Sequence, residues 1–253
     1  MVDLLGLVEK TLDEVLPRED ERPSELSQAM RYAVGTGGKR VRPLIALGAA
    51  LAVGGEAKDA AYPAAAIELL HNYTLVHDDL PSMDNDEIRR GKLTVWKKFG
   101  EVNAILAGDA LQALAFLVAS KTPNNASRVA AALAKAGVGV VAGQVEDIAM
   151  TGDTAYIYEH KTADLFVAAA EMGALAVNAD DANLAKIRTF ALNLGLAFQY
   201  QDDLLDGDSP YSREKTEQLA LETTTNAISA LEGLPGDVTV LKDLAKRLLG
   251  RKV

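Results

Sequence analysis

Asp78, Asp79, Asp84, Asp86 and Glu87 crowd into the stretch HDDLPSMDNDEIRRGK, and the cations Arg89, Arg90 and Lys92 follow at once. A second acidic cluster, Asp202, Asp203 and Asp206, lies in QDDLLD. On a helix Asp202 and Asp206 are one turn apart and face the same way. Carboxylates this close repel one another unless something positive sits among them. One such run is more often a solvated helix end, but each of these follows a long apolar stretch, Ala64 to Val76 and Phe190 to Tyr200. That matched context suggests two jaws of one metal site. The donors are all oxygens and the chain has no cysteine, which selects a hard cation, Mg²⁺ or Mn²⁺ in its place, over zinc. Mg²⁺ usually binds one or two carboxylates and completes its shell with substrate phosphates. The ligand implied is a diphosphate, whose outer oxygens Arg89 and Arg90 can take in bidentate fashion.

GGKRVRP, with Lys39, Arg40 and Arg42 beside Gly37 and Gly38, offers a second anion site. The glycines let backbone approach, and the cations supply charge. Alone it would read as a solvated basic loop; beside a metal-diphosphate site it suggests two diphosphates, one on metal and one directly on Lys39 and Arg42, and a reaction between them. His71 lies two turns before Asp78 on the same helix face, placed to reach an anion, whereas His77 reads as a structural group. Lys161, next to His160 and Thr162, interrupts an otherwise apolar segment. Gln199 shares a face with Asp202, and Gln144 with Asp147.

Helices must position these groups. Helical spacing of apolar residues covers 3–16, then a helix capped by Ser24 and running to Val34, one starting at Pro43 and ending near Val53, and one over 58–78 that carries the first acidic cluster. Residues 101–119 read as a helix buried nearly all round. Asn125 caps the next, through VAGQVEDIAM; 155–178 and 182–206 are long helices, and 213–232 and 238–249 shorter ones. No stretch shows sustained period-two alternation, so no sheet is expected. The expectation is all-α: one domain over 1–253, about ten mostly antiparallel helices around a central cavity. Apolar residues at 49% and charged residues at 25% are ordinary for a globular protein. A net charge of −10 argues against a nucleic-acid binder. The opening MVDLLGLVEK has no signal pattern and no run reaches 18 uninterrupted apolar residues, so no membrane span and a cytoplasmic location are expected.

In order, GGKRVRP, HNYTLVHDDLPSMDNDEIRRGK, KKFGEVNAILAGDAL, VAGQVED, HKT and GLAFQYQDDLLD resemble the signature motifs of trans-isoprenyl diphosphate synthases, the polyprenyl synthetase family, over roughly residues 25–207. The resemblance, most like bacterial farnesyl diphosphate synthases, implies long helices around a cavity, usually a homodimer, and head-to-tail condensation of an allylic diphosphate (dimethylallyl or geranyl) with isopentenyl diphosphate. It implies magnesium on Asp78, Asp79 and Asp84 and on Asp202, Asp203 and Asp206. Arg89 then matches the arginine on the allylic diphosphate, and Lys39, Arg42, His71 and Arg90 the isopentenyl diphosphate site. Lys161, Thr162 and Gln199 match groups beside the allylic diphosphate and the developing cation.

The chain departs from the family after Asp206, where GDSPYSREKTEQ replaces a longer loop with a lysine that reaches the allylic diphosphate; Lys215 is the stand-in. The segment from Asp147 to His160 is short as well. A class I terpene cyclase would not need Lys39, Arg42 and a second aspartate cluster. A non-catalytic partner subunit would be expected to lose aspartates, and a metal-binding or scaffolding helical protein with no chemistry would form no prenyl product from dimethylallyl and isopentenyl diphosphates. Tyr73 and Thr74, about one turn before Asp78 and roughly 6–7.5 Å deeper, are placed to limit product length. An aromatic residue there, with two extra residues inside DDLPSMD, resembles the farnesyl type. A small residue would point to the geranylgeranyl type.

Overall fold

The computed structural model describes residues 3–249, where helix follows helix almost without interruption. They are α1 (Leu4–Val15), α2 (Ser24–Gly35), α3 (Val41–Ala52), α4 (Ala61–Asp78), α5 (Val95–Phe99), α6 (Glu101–Ala119), α7 (Ala126–Ile148), α8 (Thr154–Ile157), α9 (Asp164–Ala176), α10 (Asp181–Asp206), α11 (Arg213–Ala230) and α12 (Thr239–Leu249). A 3₁₀ turn, Ala57–Ala60, leads into α4. Tyr158–Ala163, between α8 and α9, is a π-helical turn.

Alanine explains how these helices meet. Ala46, Ala49 and Ala50 of α3, Ala64 to Ala66 of α4, and Ala169, Ala170 and Ala174 of α9 are closed to solvent. With so little side chain between them, backbones come close: a Cβ on Gly173 of α9 would stand 2.0 Å from the carbonyl oxygen of Ala46. Around this centre, α9 packs on α3, α4, α7 and α10, and α10 also lies along α11. The helices that end in the two acidic clusters, α4 and α10, are thus both fixed against α9.

Several local expectations are corrected. Ser24 is the first residue of α2 rather than its cap, and Pro23 precedes it with no side-chain cap. α3 begins at Val41, so Pro43 is its third residue. It is tolerated there because the first N–H groups of a helix have no internal acceptor anyway. Asn125 does not cap α7: its backbone is left-handed (φ 52°), and its amide donates to Leu175 O and Asn178 Oδ1, both at 2.9 Å, tying the start of α7 to the end of α9.

A small sheet exists after all. β1 (Ile88–Arg89) pairs antiparallel with β2 (Lys92–Leu93). Arg90 and Gly91 between them both have positive φ, 55° and 73°, the backbone that twists a two-residue hairpin correctly. Strands two residues long cannot produce an alternating pattern, which is why periodicity missed them.

α6 is not buried all round. Val102 is 70% exposed, and Ile105, Leu106 and Leu117 of the same helix are exposed too, as are Val138, Val141 and Val145 of α7. By length and composition both helices could cross a bilayer, yet α6 packs on α4 and α7 on α9, leaving one apolar face of each turned outward.

Candidate active site

The first acidic cluster is folded on itself. Pro81 ends the run of α4, and the chain turns back so that Asp84 N donates to Asp78 O at 2.9 Å. The hairpin then returns Arg89 to Asp79: Arg89 Nε and one terminal nitrogen each lie 2.7 Å from Asp79 Oδ1, and the latter is 3.7 Å from Asp86. Asp79 is only 3% exposed, and both arginine nitrogens converge on its Oδ1. Asp78 is half-buried and Asp84 exposed. Burial, with the like charges of Asp84 and Asp79 added against the pull of Lys161 and Arg89, pushes Asp78 up to about 6.

The second cluster is organised likewise. Asp203 is buried and accepts from Gln199 Nε2 at 2.8 Å through one oxygen and from the Tyr158 hydroxyl through the other. Gln199 in turn accepts from Thr162 Oγ1 at 2.7 Å. Asp202 is half-buried and Asp206 exposed at the end of α10, where Gly207 (φ 76°) closes the helix in the left-handed conformation. Each cluster therefore has one buried carboxylate held by protein donors, Asp79 or Asp203, and two less buried, outer ones.

Lys161 stands between them. It is ion-paired with Asp147, near enough to Asp78 to lower its pKa, and it lines a cavity of about 280 Å³ with Tyr158, Gln199, Asp203 and Asp208. The π-helical turn makes this possible. Its wider winding lets Tyr158, Lys161 and Thr162 reach three different partners, and such turns recur at functional sites.

A larger cavity, about 580 Å³, is lined by Gly38, Lys39, Arg42, His71, Arg89, Arg90, Phe198 and Asp202. Asp202 thus faces the basic loop. The Arg42 guanidinium stacks 4.9 Å over the Phe166 ring. Its Nε is closed to solvent with no hydrogen-bond partner, and burial draws it down to about 10. One terminal nitrogen lies 3.1 Å from His71 Nε2. Burial, then Arg42 and Arg90, holds His71 well below its ordinary pKa; it is neutral at pH 7, Nε2 accepts from Arg42, and the ring proton is on Nδ1. Arg90, at the hairpin tip, donates to Gly37 O, joining the hairpin to the glycine loop. Arg40 also lines this cavity, but its guanidinium is already engaged by the protein. It bonds Glu9 Oε1 and Glu68 Oε1 at 2.8 Å each, and Val34 O at 2.8 Å. Its left-handed backbone turns it inward.

Tyr73 lies on the wall between α4 and α6. Its ring meets His77 edge-on at 4.9 Å. Thr74 Oγ1 donates to His71 O at 2.8 Å. His77 Nε2 is 3.1 Å from Ile105 O, the structural role expected of it. His160 pairs with Asp164 at 2.8 Å. Lys215 is exposed in the first turn of α11 and lines neither cavity. Sequence reasoning missed Tyr158 and Glu68. Glu68, buried in an apolar run of α4 below the basic loop, is the one whose type and position could have marked it.

The donor set fits a hard divalent ion. Among the described residues no three acidic or histidine side chains converge as a ready-made cage. The outer carboxylates fit an ion that completes its shell with phosphate oxygens and water.

The profile of the polyprenyl synthetase family matches residues 23–233. The farnesyl diphosphate synthase of Geobacillus stearothermophilus is 44% identical over 200 residues, 74% of this chain and 67% of that one. The heterodimeric geranylgeranyl pyrophosphate synthase large subunit 1, chloroplastic, of Arabidopsis thaliana is 44% identical over 218 residues, 79% of this chain and 58% of that one. The chain thus spans less than two thirds of the length of this plant relative. The crystal structure of an FPP/GFPP synthase from Zymomonas mobilis superposes with a TM-score of 0.89 at 33% identity, covering 97% of each chain.

Proposed function

We propose, from the premise that this chain belongs to the polyprenyl synthetase family and has the all-α isoprenoid synthase fold, that it condenses an allylic diphosphate head-to-tail with isopentenyl diphosphate and releases diphosphate. The observation that carries this is the adjacency of two unlike anion sites: Asp202 of the second acidic cluster lines the same cavity as Lys39, Arg42 and Arg90.

Asp78, Asp84, Asp202 and Asp206 would hold Mg²⁺, or Mn²⁺ in its place, with Asp79 and Asp203 as the inner, braced members of each cluster. The ions would let a diphosphate sit among carboxylates and would take up its charge on leaving. Arg89 and Lys161 add fixed positive charge to the allylic diphosphate. Preorganised charge of this kind is usually the largest catalytic contribution. Lys39, Arg42, Arg90 and the Nδ1–H of His71 hold the isopentenyl diphosphate without metal. Thr162 and Gln199 lie beside the carbon that becomes cationic as the allylic C–O bond breaks. The double bond of isopentenyl diphosphate attacks that carbon, and a proton leaves C2 for the released diphosphate. Apolar helix walls keep water from the cation.

The product we propose is the fifteen-carbon farnesyl diphosphate, with the Tyr73 ring as floor and Thr74 beside it. A twenty-carbon product is the second reading, favoured by the geranylgeranyl names of several relatives. Tyr73→Ala removes the ring packed against His77. Under excess isopentenyl diphosphate, chromatography should find wild type stopping mainly at fifteen carbons and Tyr73→Ala running to twenty or beyond. An unchanged length would remove Tyr73 as the floor. A homodimer is part of the same proposal, supported by the outward apolar faces of α6 and α7, which a second copy would cover.

A further inference from the structure

We infer that Tyr158 is a positioning residue for the second acidic cluster: its hydroxyl fixes Asp203 and so keeps Lys161 available to the allylic diphosphate. The inference rests on the proposed prenyltransferase reading. Both oxygens of Asp203 have a donor, Tyr158 on one and Gln199 on the other, so its carboxylate cannot rotate without breaking a buried hydrogen bond. The Tyr158 ring is itself held, 8% exposed and edge-on to Tyr200 at 5.6 Å. Lys161 lines the same cavity as Asp203 and is tied to Asp147 from the same π-helical turn that presents Tyr158.

Removing the hydroxyl leaves one buried oxygen of Asp203 without a donor. An unpaired buried carboxylate oxygen is costly, which favours transfer of Lys161, the cation lining that cavity, from Asp147 to Asp203. Capture of Lys161 by Asp203 would withdraw positive charge from the allylic side and draw Asp203 away from the metal face. The isopentenyl diphosphate site, built on Lys39 and Arg42 in the other cavity, would be untouched.

The test is calorimetric titration of magnesium with inorganic diphosphate into wild type and Tyr158→Phe, which keeps the ring against Tyr200. The phenylalanine variant should bind about ten-fold more weakly or worse, the scale of one lost hydrogen bond to a charged group. In steady-state kinetics kcat should fall while the KM for isopentenyl diphosphate stays within two-fold of wild type, roughly the resolution of such a comparison. In an Asp203→Ala background, which has no acceptor for the hydroxyl, Tyr158→Phe should add almost nothing, and that ratio reads the coupling even if both variants melt earlier. Wild type binding magnesium diphosphate with Tyr158→Phe equal to it would overturn the inference alone, as would additive losses in the double variant. Wild type that takes up no magnesium diphosphate would overturn the inference and the parent reading together.

Discussion

Asp78→Ala and Asp202→Ala are each expected to lower kcat by about two orders of magnitude or more, the loss found when one preorganised electrostatic group is removed from a reacting site. Steady-state turnover of geranyl with isopentenyl diphosphate measures it. Asp78 is an outer carboxylate whose protonated form burial and like charge already favour. Removing it relieves repulsion within the apo site, so melting temperature should hold or rise slightly while activity collapses. The same reasoning separates it from Asp79. That side chain is enclosed with Arg89 at 2.7 Å, and its loss would take the main partner from a half-buried guanidinium and cost stability as well as rate. A melting temperature that falls as far in Asp78→Ala as in Asp79→Ala would contradict the division into outer and inner carboxylates.

Arg42→Ala is expected to raise the KM for isopentenyl diphosphate roughly 30- to 150-fold, as losing one partner of a desolvated charge pair costs about 2–3 kcal/mol. The KM for the allylic substrate should change far less, because the proposed reading puts that diphosphate on the other anion site. Arg42 is suited to this role by its closed-off Nε and its contact with neutral His71. Equal effects on both Michaelis constants would mean the two sites have been assigned the wrong way round.

The sequence disclosed the site's charges more readily than their positions. Acidic runs ending apolar helices are visible because carboxylates and helical periodicity are both written in residue types. What Arg40 does is not: it has the same type as Arg42 two positions away, and only the left-handed backbone at Arg40 sends it to Glu9 and Glu68. Tyr158 was hidden for another reason. Its partner Asp203 is 45 residues away, and the π-helical turn breaks the 3.6-residue spacing by which faces are inferred. The outward face of α6 escaped because a helix apolar all round fits a core and an interface equally well until its neighbours are known. The hairpin that swings Arg89 back to Asp79 was too short for any period to register.

The central claim, metal-dependent joining of two diphosphates, is tested most directly by incubating the chain with dimethylallyl and isopentenyl diphosphates and resolving the prenyl products by chromatography, with and without chelator. Prenyl diphosphate lengthened by five-carbon units should form with one diphosphate released per unit added. Formation should stop on chelation and return when Mg²⁺ or Mn²⁺ is restored. Lengthened product that persists in chelator, or diphosphate released with no lengthened product, would contradict it.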